Sequence, residues 1–366
     1  MAQRVSALGD EHRKLGAAMT EWNGFPVAGT YAGQTVEQEH DAVREAAGLY
    51  DLSAFSKLWV TGPDAREVLN RAVTRDISKL KPGRGTYAMV LTDEGTITDD
   101  GIVFCYADDR FCWVIGTGGS GDRIAEVAKG KNVKLEWDNE VQVMSLQGPK
   151  AVDVLAENAS GDVRGLKFFQ QDDFTLFGRN VRISRTGYSG ERGYEIFAKP
   201  EDAPHIWQKL LEAGKPHGVL PCSFASLIPI RVEAGLLFYP FDANEENTPW
   251  EVGAGFLISK DKGDFLGRDA VLAKEGKERH VLRGASATSS ESIFGEETGL
   301  YKGGKKVGTV VGPAYSSRMG KSLAMVFVDP DVKEGDKVTL GQGADAKELA
   351  IEDLPFYDKN KERLRG

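Results

Sequence analysis

The segment over residues 185–196, RTGYSGERGYEI, holds side chains suited to binding a ligand. Tyr188, Glu191 and Glu195 are separated by glycines, which let the backbone turn sharply or approach a ligand closely. One aromatic ring and two carboxylates with little bulk between them suit a flat, polar, nitrogen-rich ligand. A tight hairpin with a solvated rim is the structural alternative, and the spacing alone favours it.

A pair of adjacent carboxylates, Asp99 and Asp100, is the second candidate for chemistry. They precede a β-prone run over residues 102–106, and we place them at the mouth of that strand. Adjacent strand residues point to opposite faces of a sheet. Only one of the two carboxylates can therefore face a given site, and we expect Asp99 to be the structural member.

A glycine-rich turn, GTGGSG over residues 116–121, follows a predicted strand over residues 111–115. It matches Gly-x-Gly-x-x-Gly, and Glu136 follows at the spacing of a ribose-binding carboxylate. A flexible strand-to-helix turn is the alternative, because the surrounding chain shows no βαβαβ series.

The elements that must position these residues follow from the hydrophobic periodicity. Apolar residues at Leu15, Met19 and Trp22 predict an amphipathic helix over residues 11–22. Beyond residue 302, short strands separated by Gly and Pro are the pattern of a small barrel or sandwich. The class is α+β.

Composition excludes several kinds of function. The chain has 366 residues and a formal net charge of −9, which argues against a nucleic-acid partner. No run approaches the roughly 20 apolar residues of a membrane span, so we expect no membrane partner and a cytoplasmic location. Three scattered cysteines and five scattered histidines predict no metal site.

Several motifs occur in an order that resembles the aminomethyltransferase family, the tetrahydrofolate-binding T-protein of the glycine cleavage system and its demethylase relatives. The matching runs are EHDAVR (39–44), AGLYDLS (47–53), the segment with the aspartate pair (95–103), QGP (147–149), TGYSGERGYE (186–195), RVEAG (231–235), ENTP (246–249), DFLGR (264–268) and GKS (320–322). So many ordered matches, spread over nearly the whole chain, are far more specific than one motif.

The resemblance implies a multi-domain ring of three domains around a central channel that holds the pterin. We expect two interleaved subdomains in a folate-binding region over residues 1–275, and a C-terminal β-barrel-like module over residues 276–366. Asp100 falls on the family's catalytic aspartate. The positions that line the pterin pocket correspond to Tyr87, Gly116, Phe168, Tyr188 and Glu195. The glycine-rich turn is then the end of a folate-lining strand.

The sequence departs from the T-protein pattern on the donor side. Where the T-protein usually has Ser-His-Met, this chain has Ser53-Ala54-Phe55, and Gly116 replaces a usual asparagine. The Arg and Asp of the usual Gly-Ala-Arg-Asp run are missing from residues 225–228. The expected substrate pocket is therefore apolar, with walls formed by Ala54, Phe55, Leu227 and Leu236.

An apolar pocket fits a small methylated substrate better than a charged lipoyl arm. We expect a tetrahydrofolate-dependent methyltransferase or demethylase that moves a methyl group from a small S-, O-, N- or halo-methyl compound, giving 5-methyltetrahydrofolate. Holding donor and acceptor in near-attack geometry would contribute most to the rate. A lipoyl carrier protein is not an expected partner.

Two other functions stay open. One is the aminomethyltransferase of the glycine cleavage system itself, and the other is a folate-binding protein without transfer activity. Several polar residues have plain structural interpretations: we expect Glu191 at the rim of the hairpin, His40 on a helix surface or in packing, and Arg231 with Glu233 as a helix-face or buried ion pair.

Overall fold

The computed structural model describes residues 6–116, 119–138 and 140–366. Its N-terminal part forms a helix, a hairpin and the beginning of a larger sheet. The elements are α1 (Gly9–Lys14), β1 (Ala17–Trp22), β2 (Phe25–Tyr31), α2 (Val36–Glu45) and β3 (Ala47–Asp51).

The predicted helix over residues 11–22 is wrong, because the chain turns after α1 and returns as the antiparallel pair β1–β2. Gly16 makes the first turn with a φ of +77°. At the tip, Trp22 pairs with Phe25 across Asn23 and Gly24, both of which have positive φ. That is the backbone geometry of a two-residue hairpin turn.

A five-stranded antiparallel sheet follows, in the order β5-β6-β7-β4-β8. Its elements are β4 (Ser56–Thr61), α3 (Ala65–Ala72), β5 (Arg84–Leu91), β6 (Ile97–Ala107), β7 (Arg110–Ile115), α4 (Ser120–Ala128) and β8 (Lys134–Asp138). Apolar residues of α3 and α4 share one buried cluster with this sheet. Asp99 and Asp100 lie within β6, not at its mouth.

A seven-stranded sheet has the order β10-β11-β12-β13-β9-β3-β14. Its further elements are β9 (Gln142–Gln147), α5 (Ala151–Asn158), β10 (Ala159–Ser160), β11 (Gln171–Leu176), β12 (Arg179–Ser184), β13 (Gly193–Ala198), α6 (Ala203–Gly214) and β14 (Val219–Pro221). The hairpin segment over residues 185–192 joins β12 to β13, as predicted. Two more helices follow, α7 (Phe224–Glu233) and α8 (Arg268–Ala273).

The chain ends in a closed six-stranded barrel with the order β15-β18-β17-β16-β19-β20. Its elements are β15 (Val281–Thr288), β16 (Gly299–Lys302), β17 (Lys305–Ser316), β18 (Lys321–Val328), β19 (Lys337–Leu340), β20 (Lys347–Glu352) and the terminal α9 (Glu362–Arg365). The barrel encloses its own apolar core. The predicted α+β class and C-terminal barrel are confirmed.

The two open sheets face each other across a shared apolar cluster. Phe104 of β6 meets Phe197 of β13 edge-on, with ring centroids 5.8 Å apart. Because side chains alternate along a strand, Asp100 shares a face with Phe104, and Glu195 shares a face with Phe197. Both carboxylates precede the aromatic contact in their strands. Residues that follow the contact in both strands line one cavity on its other side. The two carboxylates therefore lie on the opposite side, which we call the front chamber.

Candidate functional site

Asp100 is presented to the front chamber by β6 and held by a tyrosine from the neighbouring strand. The Tyr87 hydroxyl donates a hydrogen bond to Asp100 Oδ2 at 2.5 Å. Although Asp100 keeps some solvent exposure, its dense protein surroundings raise its pKa to about 6, against the lowering effect of the Tyr87 bond. Burial and the Asp100 charge raise the pKa of Tyr87 well above its ordinary value, so Tyr87 remains a donor.

Asp99 points the other way, into the core behind the sheet. It is fully buried and accepts a hydrogen bond from Ser120 Oγ at 2.5 Å, while its Oδ1 accepts one from the Asp100 backbone N–H at 3.0 Å. Asp99 therefore anchors the start of α4 and is structural, as expected.

Glu195 projects from β13 and is only 5% exposed. Burial raises its pKa to about 7, against the lowering effect of a hydrogen bond that Thr186 donates to Oε2. Its Oε1 receives no hydrogen bond from any described residue. This leaves one carboxyl oxygen of a largely buried side chain for a ligand with N–H donors, and a carboxyl whose protonation changes close to neutral pH.

Tyr188 connects the hairpin segment to the chain after α7. Its hydroxyl donates to the Leu237 carbonyl and lies 3.4 Å from the Leu236 carbonyl oxygen. Burial raises the pKa of Tyr188, and the charges of Asp242 and Asp100 add to that effect while Arg231 opposes it. The structure thus brings Tyr188 into the electrostatic neighbourhood of Asp100.

Arg231 and Asp242 form a buried ion pair behind Tyr188. Arg231 Nη1 and Nη2 donate to the two Asp242 carboxylate oxygens, and the second contact is 3.1 Å long. The prediction of a buried ion pair holds for Arg231, but its partner is Asp242. Glu233 binds Arg44 and His40 of α2 instead.

Gly116 lies at the end of β7, beside Asp100. Gly101 of β6 pairs with Ile115 of β7, which places Asp100 and Gly116 next to each other across the strands. A Cβ at Gly116 would lie 3.6 Å from the Trp22 ring. Asn23 Nδ2 donates to the Gly116 carbonyl at 3.1 Å, which fastens the β1–β2 tip over this strand end. Residues 117 and 118 of the glycine-rich turn lie outside the described residues.

Aromatic side chains surround Trp22 at the tip of the β1–β2 hairpin. Its ring meets Phe55, Phe224 and Phe238 with centroid separations of 5.7, 5.8 and 5.9 Å. Ala54 is fully buried in the same cluster. Trp22, Phe224 and Phe238 were not predicted in this wall, and Trp22 had been assigned to a helix over residues 11–22.

Of the other predicted pocket residues, Leu227 lies beside Trp22 and Leu236 beside Tyr188, whereas Phe168 lies next to the start of β5. Leu227 is 9% exposed and lines a narrow cavity of about 10 Å³ together with Trp22 and Phe224. Leu236 is half-buried, and its carbonyl oxygen faces the Tyr188 hydroxyl. Phe168 packs edge-on against Phe169 at 4.5 Å, in a loop tied to the start of β5.

The expectation for Glu191 is wrong, and the expectation for His40 holds in its packing alternative, not on the helix surface. Glu191 is not at a rim, because it is 2% exposed and its Oε1 accepts from Arg44 Nη1 at 3.0 Å. Arg363 binds the same carboxylate at 2.8 Å. His40 is 1% exposed, and its Nε2 lies 3.0 Å from Glu233 Oε2. The partners of both residues lie far away in the sequence, so local patterns carry no signal for them.

The described residues contain no group of three or more His, Cys, Asp or Glu side chains arranged to hold a metal ion. Among them there is also no helix with the length and apolar character needed to cross a bilayer. The groups that the front chamber offers are the carboxyls of Asp100 and Glu195, whose pKa values lie near neutrality, the tyrosines Tyr87 and Tyr188, and the aromatic wall around Trp22.

Comparisons with known proteins agree with this architecture. The family model of the GCVT N-terminal domain matches residues 8–262, and that of the glycine cleavage T-protein C-terminal barrel domain matches residues 282–358. The chain is similar to the heme-dependent oxidative N-demethylase gamma subunit of Ectopseudomonas mendocina, with 39% identity over 98% of this chain and 97% of that protein.

It is also 34% identical to the aminomethyltransferase of Streptomyces coelicolor, over 98% of both chains. The crystal structure of the glycine cleavage system aminomethyltransferase T from Bartonella henselae superposes with a TM-score of 0.88 and 27% identity, covering 97% of this chain and 98% of that one. Proteins of this family bind tetrahydrofolate as substrate or cofactor, and its enzymes transfer one-carbon units. The chain belongs to the glycine cleavage T-protein (GCVT) family.

Proposed function

We propose that this protein transfers a one-carbon unit from a small methylated donor to tetrahydrofolate, giving 5-methyltetrahydrofolate. The observation that carries the proposal is the pair Asp100 and Glu195, two carboxyls with pKa values of about 6 and 7 in one chamber. Tetrahydrofolate would supply a nucleophilic secondary amine that accepts the carbon. The residues supply binding, orientation and a proton acceptor.

Glu195 is the residue that would hold the pterin. A carboxylate pairs with two neighbouring N–H donors most strongly when it is shielded from water. Glu195 is buried, and its Oε1 has no donor among the described residues. Tyr188 would form a wall of the same pocket, because its hydroxyl is already fixed by the Leu237 carbonyl and its ring orientation is thereby set.

Asp100 would orient the acceptor amine and take its proton. A carboxyl with a pKa of about 6 is ionised at pH 7 and remains basic enough to accept a proton. Tyr87 donates to Oδ2, which leaves Oδ1 for the amine and keeps the carboxylate in one orientation. Gly116, on the neighbouring strand, adds no side chain next to Asp100.

The aromatic wall around Trp22, where the methyl donor would bind, would exclude the polar lipoyl arm of a carrier protein. Trp22, Phe55 and Phe224 present ring faces and edges here, Ala54 is packed in the same cluster, and Leu227 lines the cavity beside Trp22 and Phe224. A methylated sulfonium or ammonium donor leaves as a neutral group and needs no acid, and ring faces attract such cations. Among the methylated donors considered, this wall favours sulfonium and quaternary ammonium compounds.

A second candidate rests on the relative with 39% identity. Its name describes one subunit of an oxidative N-demethylase, and oxidative removal of a methyl group yields carbon at the oxidation level of formaldehyde. In this alternative a partner subunit supplies formaldehyde-level carbon, and the product is 5,10-methylenetetrahydrofolate. Transfer from an aminomethylated lipoyl carrier gives that same product, as the relative with 34% identity would suggest.

The donor that is used and the product that is formed together separate these candidates. Purified protein with tetrahydrofolate is offered dimethylsulfonium, quaternary ammonium, aryl methyl ether and halomethyl donors, formaldehyde, or an aminomethylated lipoyl carrier, and folate products are resolved by mass spectrometry. Enzyme-dependent 5-methyltetrahydrofolate from a methyl donor supports the first proposal. Formation of 5,10-methylenetetrahydrofolate from formaldehyde supports the second candidate only if the enzyme raises the rate above the spontaneous one. The Asp100→Asn variant must also lose that rate increase. Turnover with the lipoyl carrier alone would contradict the methyl-donor proposal.

A further inference from the structure

A second cavity opens on the far side of the Phe104–Phe197 contact, which we call the rear cleft. It has a volume of about 660 Å³ and lies between the two open sheets, with Trp59, Tyr106 and Arg110 on one wall and Arg182 on the other. Small-molecule sites typically measure about 300–1,000 Å³. The cleft is therefore large enough for a small ligand, and the front chamber does not use any of these residues.

The charge of the rear cleft is opposite to that of the protein. Four cationic side chains line it, and two carboxylates accompany them: Lys57, Arg110, Arg182 and Lys199 against Asp138 and Asp173. The whole chain carries a formal net charge of −9. A local surplus of two positive charges on an acidic protein favours an anionic ligand.

Two guanidinium groups flank a pair of aromatic rings along the wall. Arg110 lies over the Trp59 ring at 4.4 Å from its centroid, and Trp59 meets Tyr106 edge-on at 4.7 Å. Arg182, from the other sheet, lies over Tyr106 at 4.2 Å. A further flat ring can pack against this series of planar groups.

The polar groups of the cleft differ in how far they are already engaged. Asp173 holds Arg182 through two contacts of 2.7 and 2.5 Å. Asp138 accepts from Trp59 Nε1 at 3.0 Å and from two backbone N–H groups. By contrast, the exposed side chain of Arg110 makes neither a hydrogen bond nor an ion pair with any described residue, and its guanidinium edge is available for a carboxylate.

We propose that the rear cleft binds a flat aromatic carboxylate, with its ring against Trp59 and Tyr106 and its carboxylate on Arg110. A guanidinium binds a carboxylate through two parallel hydrogen bonds, and stacking on Trp59 holds the group ready for that geometry. An uncharged ring would leave the surplus charge unmatched. A cation would face Arg110 and Arg182 directly.

The test uses 2-naphthoate as the probe on the full chain, by titration calorimetry and tryptophan fluorescence. Binding with a stoichiometry of one and quenching of Trp59 is expected. Arg110→Ala should raise the Kd about tenfold or more, because one charge-assisted contact is lost. The Kd of Arg110→Lys should lie between those of the wild type and Arg110→Ala, because lysine keeps the charge and lacks the planar guanidinium. Arg110 is exposed, so circular dichroism should show an unchanged fold.

Matched controls locate the probe. Trp59→Phe should abolish most of the quenching and keep the calorimetric Kd nearly unchanged, whereas Trp137→Phe, at a 46% exposed residue on the neighbouring β8, should keep the quenching. Saturating tetrahydrofolate should leave the Kd unchanged. The proposal is overturned if 2-naphthoate does not saturate, if 2-naphthylmethylammonium binds as tightly, if Arg110→Ala has no effect, or if tetrahydrofolate displaces the probe.

Discussion

Asp100 is the residue on which turnover should depend most. Asp100→Asn keeps the shape of the side chain and removes the proton acceptor, so kcat should fall about 10²-fold or more, the usual contribution of acid–base catalysis. Tetrahydrofolate binding, followed by calorimetry, should persist. The wild-type rate should rise with pH through about 6, where the Asp100 carboxyl ionises. The variant should lack this acid limb.

Tyr87→Phe is the companion test of the same group. The Tyr87 hydrogen bond lowers the pKa of Asp100, so its removal should move the acid limb of the rate profile to higher pH. Full turnover in Asp100→Asn, with an acid limb still near pH 6, would remove Asp100 from the reaction.

Glu195 should make the stability of the protein depend on pH. Its pKa rises from 4.5 to about 7 on folding, so the folded state loses stability as the pH rises through that interval. Glu195→Gln cannot ionise. At 1.36 kcal/mol per pKa unit, its advantage over the wild type should grow between pH 5 and pH 8 by at most roughly 3 kcal/mol. Urea unfolding at both pH values measures this growth.

The matched control for that series is Glu348→Gln, in an exposed pair on the barrel. It should show no growing advantage. A stability difference between Glu195→Gln and the wild type that stayed constant from pH 5 to pH 8 would contradict the raised pKa of Glu195.

The sequence predicted some residues of the chamber and missed others for a physical reason. Asp100 could be chosen over Asp99 from the family resemblance, and the alternation of a strand required that only one face the site. Glu191 was placed wrongly, because its buried partners Arg44 and Arg363 come from distant parts of the chain. Asp242 was missed for the same reason, since nothing near it in sequence marks its pairing with Arg231.

At the scale of elements, the β1–β2 hairpin was the main error. Leu15, Met19 and Trp22 are spaced like one face of a helix, but Gly16 breaks the helix with its positive φ. The dipeptide Asn23-Gly24 between flanking aromatic residues was the available signal, because Asn-Gly is a strong short-range mark of a hairpin. The hairpin matters because its tip brings Trp22 to the end of β7.

Gly116 and Trp22 should therefore behave as a pair. A Cβ at Gly116 would lie 3.6 Å from the Trp22 ring, an ordinary contact, but the amide of an asparagine needs the space beyond it. Gly116→Asn should displace the ring and lower kcat/KM for a small donor about tenfold, the scale of one lost packing contact. Gly116→Ala is the matched control and should stay close to the wild type. Equal effects of the two variants would contradict the pairing.

At the scale of the whole molecule, the open sheets and the barrel are tied by one buried charge cluster. Glu233 of α7 binds Arg44 and His40 of α2, and its other oxygen accepts from Ser316 of the barrel strand β17 at 2.5 Å. The sequence predicted the barrel from its short strands, and a division of the chain near residue 275 stays a prediction. The charge cluster that joins the sheets to the barrel could not be predicted, because its members lie far apart in the sequence. His40 and Ser316, for example, are 276 positions apart.

Glu233→Gln should be strongly destabilising for this reason. It keeps the shape of the side chain and leaves the Arg44 guanidinium, which is 1% exposed, short of one negative partner. Removing one partner of a buried ion pair typically costs about 3–5 kcal/mol, because the remaining charge is uncompensated. Glu348→Gln makes the same chemical change in an exposed pair and should cost less than about 1 kcal/mol. Unfolding free energies from urea titration compare the two. Equal costs would contradict an uncompensated buried charge at Arg44 in this variant.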